Sequence, residues 1–267
     1  MRKTVDNFDL FAKKLFETPL KEDEFYFLQI LVRGKDGHHV SGNNKNRLVK
    51  YYTITSAEQL LGLKNEILAI CHVDNARAYI HPTKRNAKEV ANIAIELAIH
   101  TFVSQNWIGF KSMYSTACGQ SFGAGDKKFI VDLDDIHEGD AILEQIKKDI
   151  FEMRGHGGEN SDKIFMTVPT KSGIHLITWP FDLSQFKEKY PNIDVHKNNP
   201  TLLYFSWETD EVGDPIGPRG RKGDVPEEIR KEADEYIKNI NPPYDKDDVA
   251  TAYEDGILRV LKELEKE

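Results

Sequence analysis

The sequence predicts a mixed α/β protein, built as two α/β halves that are followed by a helical tail. Short runs rich in aromatic and β-branched residues alternate along the chain with longer segments of helical periodicity. No internal repeat or low-complexity block interrupts this alternation. The chain has 267 residues, a length that suits one large domain or two closely packed halves.

The first half, residues 1–110, contains predicted strands and helices in alternation. Ser56 and Gln59 form a capping box that marks the start of one helix. The polar stretch 34–46 lies between two apolar runs and predicts a long hairpin loop. In chain order we expect a helix over 8–17, strands over 24–32 and 48–54, a helix over 57–72, a strand over 76–80 and a helix over 84–104.

The second half, residues 120–215, follows a small, polar and glycine-rich segment over 111–127 that predicts a connecting loop. Its predicted elements are a strand over 129–134, a helix over 138–153, strands over 163–168 and 174–179, a helix over 183–189 and a strand over 201–206. The order β-α-β-β-α-β is typical of the ferredoxin-like or RRM-like unit. We therefore predict one domain over 1–215 and a C-terminal helical extension over 216–267.

The composition narrows the class of protein. The chain is 39% apolar and 30% charged, and none of its apolar runs approaches the roughly 18 residues of a membrane-spanning helix. Two cysteines without a CxxC pair argue against a disulfide framework or a thiolate zinc site. We expect an intracellular, cytoplasmic protein without a membrane partner. The net charge of −8 does not exclude nucleic acid, because basic residues cluster locally and local potential governs phosphate contact.

The most informative stretch is the apolar strand over 129–134, which ends in alternating carboxylates. Asp132 and Asp134 are two residues apart, so they point to the same face of the strand, and Asp135 points away. Two carboxylates at the end of a buried strand predict a site for a hard divalent cation, Mg²⁺ or Mn²⁺. Acids that only cap a strand end or form a turn are the structural alternative.

Two further groups follow at spacings that a β-α-β-β unit can bring together. His175 comes directly after a tight turn, where its ring and nearby backbone N–H groups can meet a phosphate. Asp194 is the candidate third carboxylate. Three carboxylates that hold two cations form the site that polymerases use for in-line displacement. A histidine and an acid that are merely structural remain alternatives at these two positions.

These residues resemble the motifs of the archaeo-eukaryotic primase superfamily, which includes the primase-polymerases of phages and mobile elements. The three motifs stand here as Ile130-Val131-Asp132-Leu133-Asp134, Ser172-Gly173-Ile174-His175 and Ile193-Asp194. The second motif departs from the family's Ser-x-His, because Ser172 lies three residues before His175 and Gly173 occupies the expected place. The resemblance covers about residues 24–210.

The resemblance implies an RRM-like catalytic unit preceded by an α/β half, with a role for each motif residue. Asp132, Asp134 and Asp194 would bind two catalytic Mg²⁺ or Mn²⁺ ions. His175, with the turn before it, would contact the phosphates of an incoming nucleoside triphosphate. The candidates for holding that triphosphate are Lys171, Ser172, Gly173, His175 and Lys197.

The predicted function is that of a primase-polymerase-like nucleotidyltransferase acting on a single-stranded DNA template. Arg77 and Tyr79 alternate on a predicted strand and share a face suited to backbone contact and base stacking, although a structural amphipathic strand explains the same pattern. No helicase or zinc module is evident in the sequence, so a helicase or other replication partner would be a separate protein. A metal-dependent nuclease and a non-catalytic nucleic-acid-binding or nucleotide-binding descendant of the same fold remain alternatives.

Overall fold

The structure, a computed structural model, describes residues 2–36, 46–121 and 126–208. These residues belong to one of the two units into which the chain divides, Met1–Arg221. The predicted helical extension over 216–267 lies outside the described residues, as do parts of the predicted loops over 34–46 and 111–127. The described part is mixed α/β, as the sequence predicts, and the structure shows that its sheets are antiparallel.

Ten strands and seven α-helices follow one another in the described residues. They are β1 (Arg2–Asp6), α1 (Phe8–Leu15), β2 (Glu24–Arg33), β3 (Asn46–Ile54), α2 (Ala57–Gly62), α3 (Lys64–Asp74), β4 (Arg77–Ile80), β5 (Arg85–Asn86), α4 (Ala87–Ser104), α5 (Met113–Gln120), β6 (Phe129–Asp134), α6 (Ala141–Glu152), β7 (Ile164–Pro169), β8 (Gly173–Thr178), α7 (Leu183–Lys189), β9 (Asp194–His196) and β10 (Thr201–Glu208). Short 3₁₀ helices cover Gly34–Asp36 and Trp107–Ser112.

Side-chain caps explain where two of the helices begin. Ser56 accepts a hydrogen bond from the Gln59 backbone N–H, which confirms the first half of the predicted capping box and starts α2 at Ala57. The Gln59 side chain accepts from the backbone N–H of Thr55 in place of that of Ser56. Asn86 accepts from two backbone N–H groups of the first turn of α4. Because a capping residue stands outside its helix, α4 begins at Ala87, three residues later than predicted. The single helix predicted over 57–72 is divided into α2 and α3 at Leu63.

The first sheet has the strand order β1-β10-β4-β2-β3, and β5 pairs with β2. Its neighbouring strands are antiparallel. The predicted strand over 201–206 is confirmed as β10, but its assignment to the sheet of the second half is wrong, because β10 lies between β1 and β4. β10, the last described strand, therefore belongs to the same sheet as β1, the first.

The second sheet has the order β7-β8-β6-β9, also antiparallel. Alternate residues of β6 and β8 form a core with α6 and α7 on one face, the buried members being Phe129, Val131, Leu133, Leu143, Ile146, Ile150, Ile174, Leu176 and Phe186. On the opposite face Ile130, Met166, Val168 and Ile177 join the core of the first sheet. This opposite face is thus packed in part, and the charged side chains on the same face lie at the edge of the packed region.

The predicted loop over 111–127 is wrong in its first part, where the structure has the end of a 3₁₀ helix followed by α5. Ala117 and Cys118 are fully buried in one cluster with Phe25 and Phe27 of β2. Small residues allow α5 to lie close to the sheet. The polar, glycine-rich composition of this segment predicts a loop and gives no sign of such packing.

Candidate functional site

Three of the predicted site residues lie in one row across the second sheet. In the antiparallel register Asp132 of β6 is opposite both Asp194 of β9 and His175 of β8, and His175 is opposite Val168 of β7. Residues directly opposite on neighbouring strands share a face, with Cβ atoms about 4.5–5.5 Å apart. The fold therefore brings together side chains that are far apart in the sequence.

Asp132 is the centre of this row, and two imidazoles approach its carboxylate. Nε2 of His175 lies 3.3 Å from Oδ1 of Asp132, and Nε2 of His196 lies 4.0 Å from Oδ2. His196 is not among the site residues predicted from the sequence. Its position two residues after Asp194 was the available signal, because alternate residues of a strand share a face.

The His175 ring is held from its other side by the first sheet. Nδ1 of His175 lies 2.8 Å from Oγ1 of Thr201, the fully buried first residue of β10. Asn7 makes a second connection between the two sheets, since its side-chain amide donates to the backbone oxygens of Pro169 in β7 at 3.0 Å and Leu202 in β10 at 2.9 Å. The two sheets are thus joined by hydrogen bonds beside the row, and the contact with Thr201 orients the imidazole of His175.

Asp134 lies at the end of β6, opposite Gly173. Oγ of Ser172 donates to Oδ1 of Asp134 at 2.7 Å, so the turn before β8 orients this carboxylate. A Cβ atom at Gly173 would lie 2.1 Å from the backbone oxygen of Leu133, closer than real atoms approach. Glycine is therefore required here for the close pairing that brings Ser172 to Asp134.

Asp194 differs from Asp132 in its surroundings. Its side chain is 77% exposed, against 32% for Asp132, and Nζ of Lys187 lies 3.6 Å from its carboxylate. Lys187 was not identified from the sequence; it lies on the short helix α7, and its ammonium also donates to the backbone oxygen of Ile193 at 2.6 Å. Lys197, a predicted phosphate-binding residue, follows β9 and is exposed.

Lys171 lies apart from the row, against aromatic rings of β10. Its Nζ is 5.6 Å from the ring centroid of Phe205 and 5.7 Å from that of Trp207. Burial and the nearby Arg77 guanidinium lower the pKa of Lys171. We call Lys171 and these two rings, which stack on each other at 5.3 Å, the β10 aromatic surface.

Arg77 and Tyr79 share a face of β4, but both side chains are buried. Arg77 makes a bidentate ion pair with Asp36 and lies over the ring of Phe205, 4.2 Å from its centroid. The hydroxyl of Tyr79 accepts a hydrogen bond from Arg33 at 3.0 Å. Their polar groups are thus engaged within the protein, and Arg33 is the partly exposed cation of this face.

The donor chemistry of the row and of the neighbouring Asp134 fits a divalent cation, because Asp132, Asp134 and Asp194 offer the oxygen atoms that such ions prefer. Within residues 2–36, 46–121 and 126–208, no three His, Cys, Asp or Glu side chains are already arranged closely enough to hold a metal ion. The side chain of Asp194 is 77% exposed and has room to move.

Comparisons of the chain with protein-family models, with curated proteins and with solved structures gave no significant match. Across the described part of the chain, no helix is both long enough and apolar enough to cross a membrane. The three motifs and the arrangement of their side chains are therefore the features of this protein that indicate a function.

Proposed function

We propose that this protein is a primase-polymerase-like nucleotidyltransferase, which uses two divalent cations, Mg²⁺ or Mn²⁺, to join nucleotides on a single-stranded DNA template. The observation that carries the proposal is the position of Asp132 opposite both His175 and Asp194. Three short motifs separated in sequence have their charged residues on one face of one sheet. Acids that are merely structural need not lie opposite one another, as Asp132 and Asp194 do.

The element order supports the further proposal of an RRM-like catalytic unit of the archaeo-eukaryotic primase type. In this proposal β6, α6, β7, β8, α7 and β9 form the β-α-β-β-α-β unit, and β9 is its last strand in place of the predicted strand over 201–206. The first sheet, with its helices, would be the preceding α/β half. The domain assignment over 1–215 and the extension over 216–267 remain part of this proposal.

The carboxylates have distinct tasks in the proposed reaction. Asp132, Asp134 and Asp194 would supply the oxygen ligands, with Ser172 holding Asp134 in place through its 2.7 Å hydrogen bond. Bound cations supply activation of the attacking hydroxyl and neutralisation of the triphosphate charge. The protein's own contribution is to fix the carboxylates on a packed sheet, so that little reorganisation accompanies the reaction.

The turn before β8 and the groups around β9 would receive the nucleotide phosphates. His175 faces the row with a ring that Thr201 holds in a fixed orientation. Ser172 and Gly173 form the adjacent turn, and the exposed Lys197 follows β9. Lys171 would act from the β10 aromatic surface, as a positive charge close to this turn.

The template would contact the outer face of the first sheet. Arg77 and Tyr79 would act there indirectly, since the ion pair with Asp36 and the hydrogen bond from Arg33 engage their polar groups. The partly exposed Arg33, Lys171 and Trp207 would provide the cations and the ring that meet a single strand. We further propose action in the cytoplasm of a bacterium or phage-infected cell, with a separate helicase or other replication protein as partner.

The test is incorporation of labelled nucleotides on single-stranded DNA with Mg²⁺ or Mn²⁺. Asp132→Asn should lower the rate at least about 10²-fold, because the substitution removes a charge that the cations need. Asp135→Asn is the matched control: it makes the same change of charge three residues away, at an exposed position with φ 59 that asparagine tolerates. Absence of product under every metal and template combination would refute the proposal. Template degradation that depends on Asp132 would instead identify a nuclease.

A further inference from the structure

We propose that His196 is an additional metal ligand, which gives the cation site a nitrogen donor and makes it select Mn²⁺ over Mg²⁺. The inference rests on the proposed function only in treating the row around Asp132 as a cation site. None of the three sequence motifs includes His196.

The separation of the two donor atoms supports a bridging ion. Nε2 of His196 and Oδ2 of Asp132 are 4.0 Å apart, beyond the usual range of a hydrogen bond. A first-row divalent metal bound by imidazole nitrogen and carboxylate oxygen lies about 2.0–2.2 Å from each. Adjacent ligands of such an ion lie roughly 3–3.5 Å apart, so the side chains of His196 and Asp132 would have to approach each other by about 0.5–1 Å to hold one ion together.

Asp194 can complete the set of ligands. It lies on the same strand as His196, two residues earlier, and it is opposite Asp132 in the register, so all three side chains share a face. Its carboxylate is largely exposed, and its contact with Lys187 at 3.6 Å is a surface ion pair. Such pairs contribute little free energy, about 0–1 kcal/mol, so Asp194 can turn toward the ion at small cost.

His175 has a different part in this arrangement. Its Nδ1 is engaged by Thr201, and its Nε2 faces Oδ1 of Asp132, the oxygen opposite the one that His196 approaches. His175 thus orients the carboxylate while His196 stands on the side where an ion would bind. Groups that orient a ligand in this way are a regular feature of metal sites.

The donor set has a consequence for metal choice. Mg²⁺ strongly prefers oxygen ligands and keeps much of its water, whereas imidazole suits first-row transition metals. A site of two carboxylates and one imidazole should therefore bind Mn²⁺ more tightly than Mg²⁺. Removing the imidazole should reduce that difference without abolishing the site.

The experiment measures binding of Mn²⁺ alone to the full-length protein by electron paramagnetic resonance, and then competition by Mg²⁺. His196→Gln should weaken Mn²⁺ binding at least about tenfold and change Mg²⁺ binding less than about threefold. His100→Gln, at an exposed position of α4, is the matched control and should leave both constants unchanged. Equal losses for the two ions in His196→Gln, or no loss of Mn²⁺ binding, would overturn the proposal.

A second readout separates this inference from the proposed function. Bound Mn²⁺ should broaden the ring NMR signals of His196 in the wild-type protein, and Asp132→Asn should remove the broadening. That result would support the metal site even if no nucleotide were incorporated. Nucleotide incorporation without broadening at His196, or a wild-type protein that does not bind Mn²⁺, would overturn the inference about His196.

Discussion

Thr201 Oγ1 lies 2.8 Å from Nδ1 of His175, and this contact joins the first residue of β10 in one sheet to a side chain of the other sheet. Thr201 is fully buried, whereas His175 reaches the edge of the packed face. The orientation of the imidazole is therefore set by a residue outside the three sequence motifs.

Replacing Thr201 with valine should disturb His175 with little change of shape. The variant leaves Nδ1 without its hydroxyl partner, which should cost about 1–2 kcal/mol in the free energy of unfolding, measured in urea. The ¹⁵N shifts of the His175 ring should change as well. Thr201→Ser keeps the hydroxyl and should leave those shifts as they are; a shift of equal size in both variants would contradict this role.

Gly173→Ala should destabilise the protein by about 1–3 kcal/mol, because the added Cβ collides with the backbone of Leu133 and the strand must move. Gly62→Ala is the control. In helix α2 it meets no atom within 4 Å, so it should be neutral or stabilising by up to about 1 kcal/mol. Thermal or urea unfolding of the two variants decides the matter, and similar stabilities for both would show that the sheet accommodates the methyl group.

The ion pair between Arg77 and Asp36 should respond asymmetrically to substitution. Both side chains are nearly buried, at 11% and 10% exposure, so Arg77→Leu leaves a carboxylate without its partner and should cost about 3–5 kcal/mol. The double variant Arg77→Leu/Asp36→Leu should recover much of that loss. Additive losses in a double-mutant cycle would argue against the coupling.

Acid should weaken the fold through His81. Burial, and then the adjacent Arg85 guanidinium, hold the pKa of His81 well below its usual range. The unfolded chain binds a proton near pH 6.5 that the folded chain excludes, so stability from this group is present above that pH. It is lost as pH falls, by about 1.4 kcal/mol per unit until the folded-state pKa is reached.

The measurement for His81 is unfolding in urea at a series of pH values between 7 and 5. His81→Gln cannot take up the proton and can still accept from Arg85, whose Nη2 lies 2.8 Å from Nδ1 of the histidine. Its stability should therefore depend less steeply on pH than that of the wild type. Parallel curves for the two proteins would assign the acid sensitivity to other groups.

The sequence predicted most strands and helices, because alternation and helical periodicity are local signals. The strand over 129–134 was predicted with the bounds it has in the structure. The pairing partners of the strands were harder to predict, because the apolar pattern of residues 201–206 indicates a strand but not the sheet to which that strand belongs. The short strands β1, β5 and β9 were missed, since a run of two to five residues carries little periodicity.

For the candidate site, the sequence predicted three acids and one histidine, Asp132, Asp134, Asp194 and His175, and the register of the sheet shows how they lie relative to one another. The contacts of His196, Lys187 and Thr201 could not be predicted, because each depends on pairing between strands or on a neighbouring helix. Arg77 and Tyr79 illustrate the converse. Their alternation can be seen in the sequence. The partners of their polar groups, Asp36 and Arg33, lie far away in the sequence, so these contacts could not be predicted.

The pairing of β1 with β10 has a consequence for synthesis of the protein. Thr4 and Ser206 are hydrogen-bonded across 202 positions of sequence, so the first sheet cannot be completed until its last strand has left the ribosome. The sheet of β6, β7, β8 and β9 needs no later segment for its own pairing. During translation β6 can therefore pair with its neighbouring strands first. β1 stays unpaired until almost the whole described chain has emerged from the ribosome.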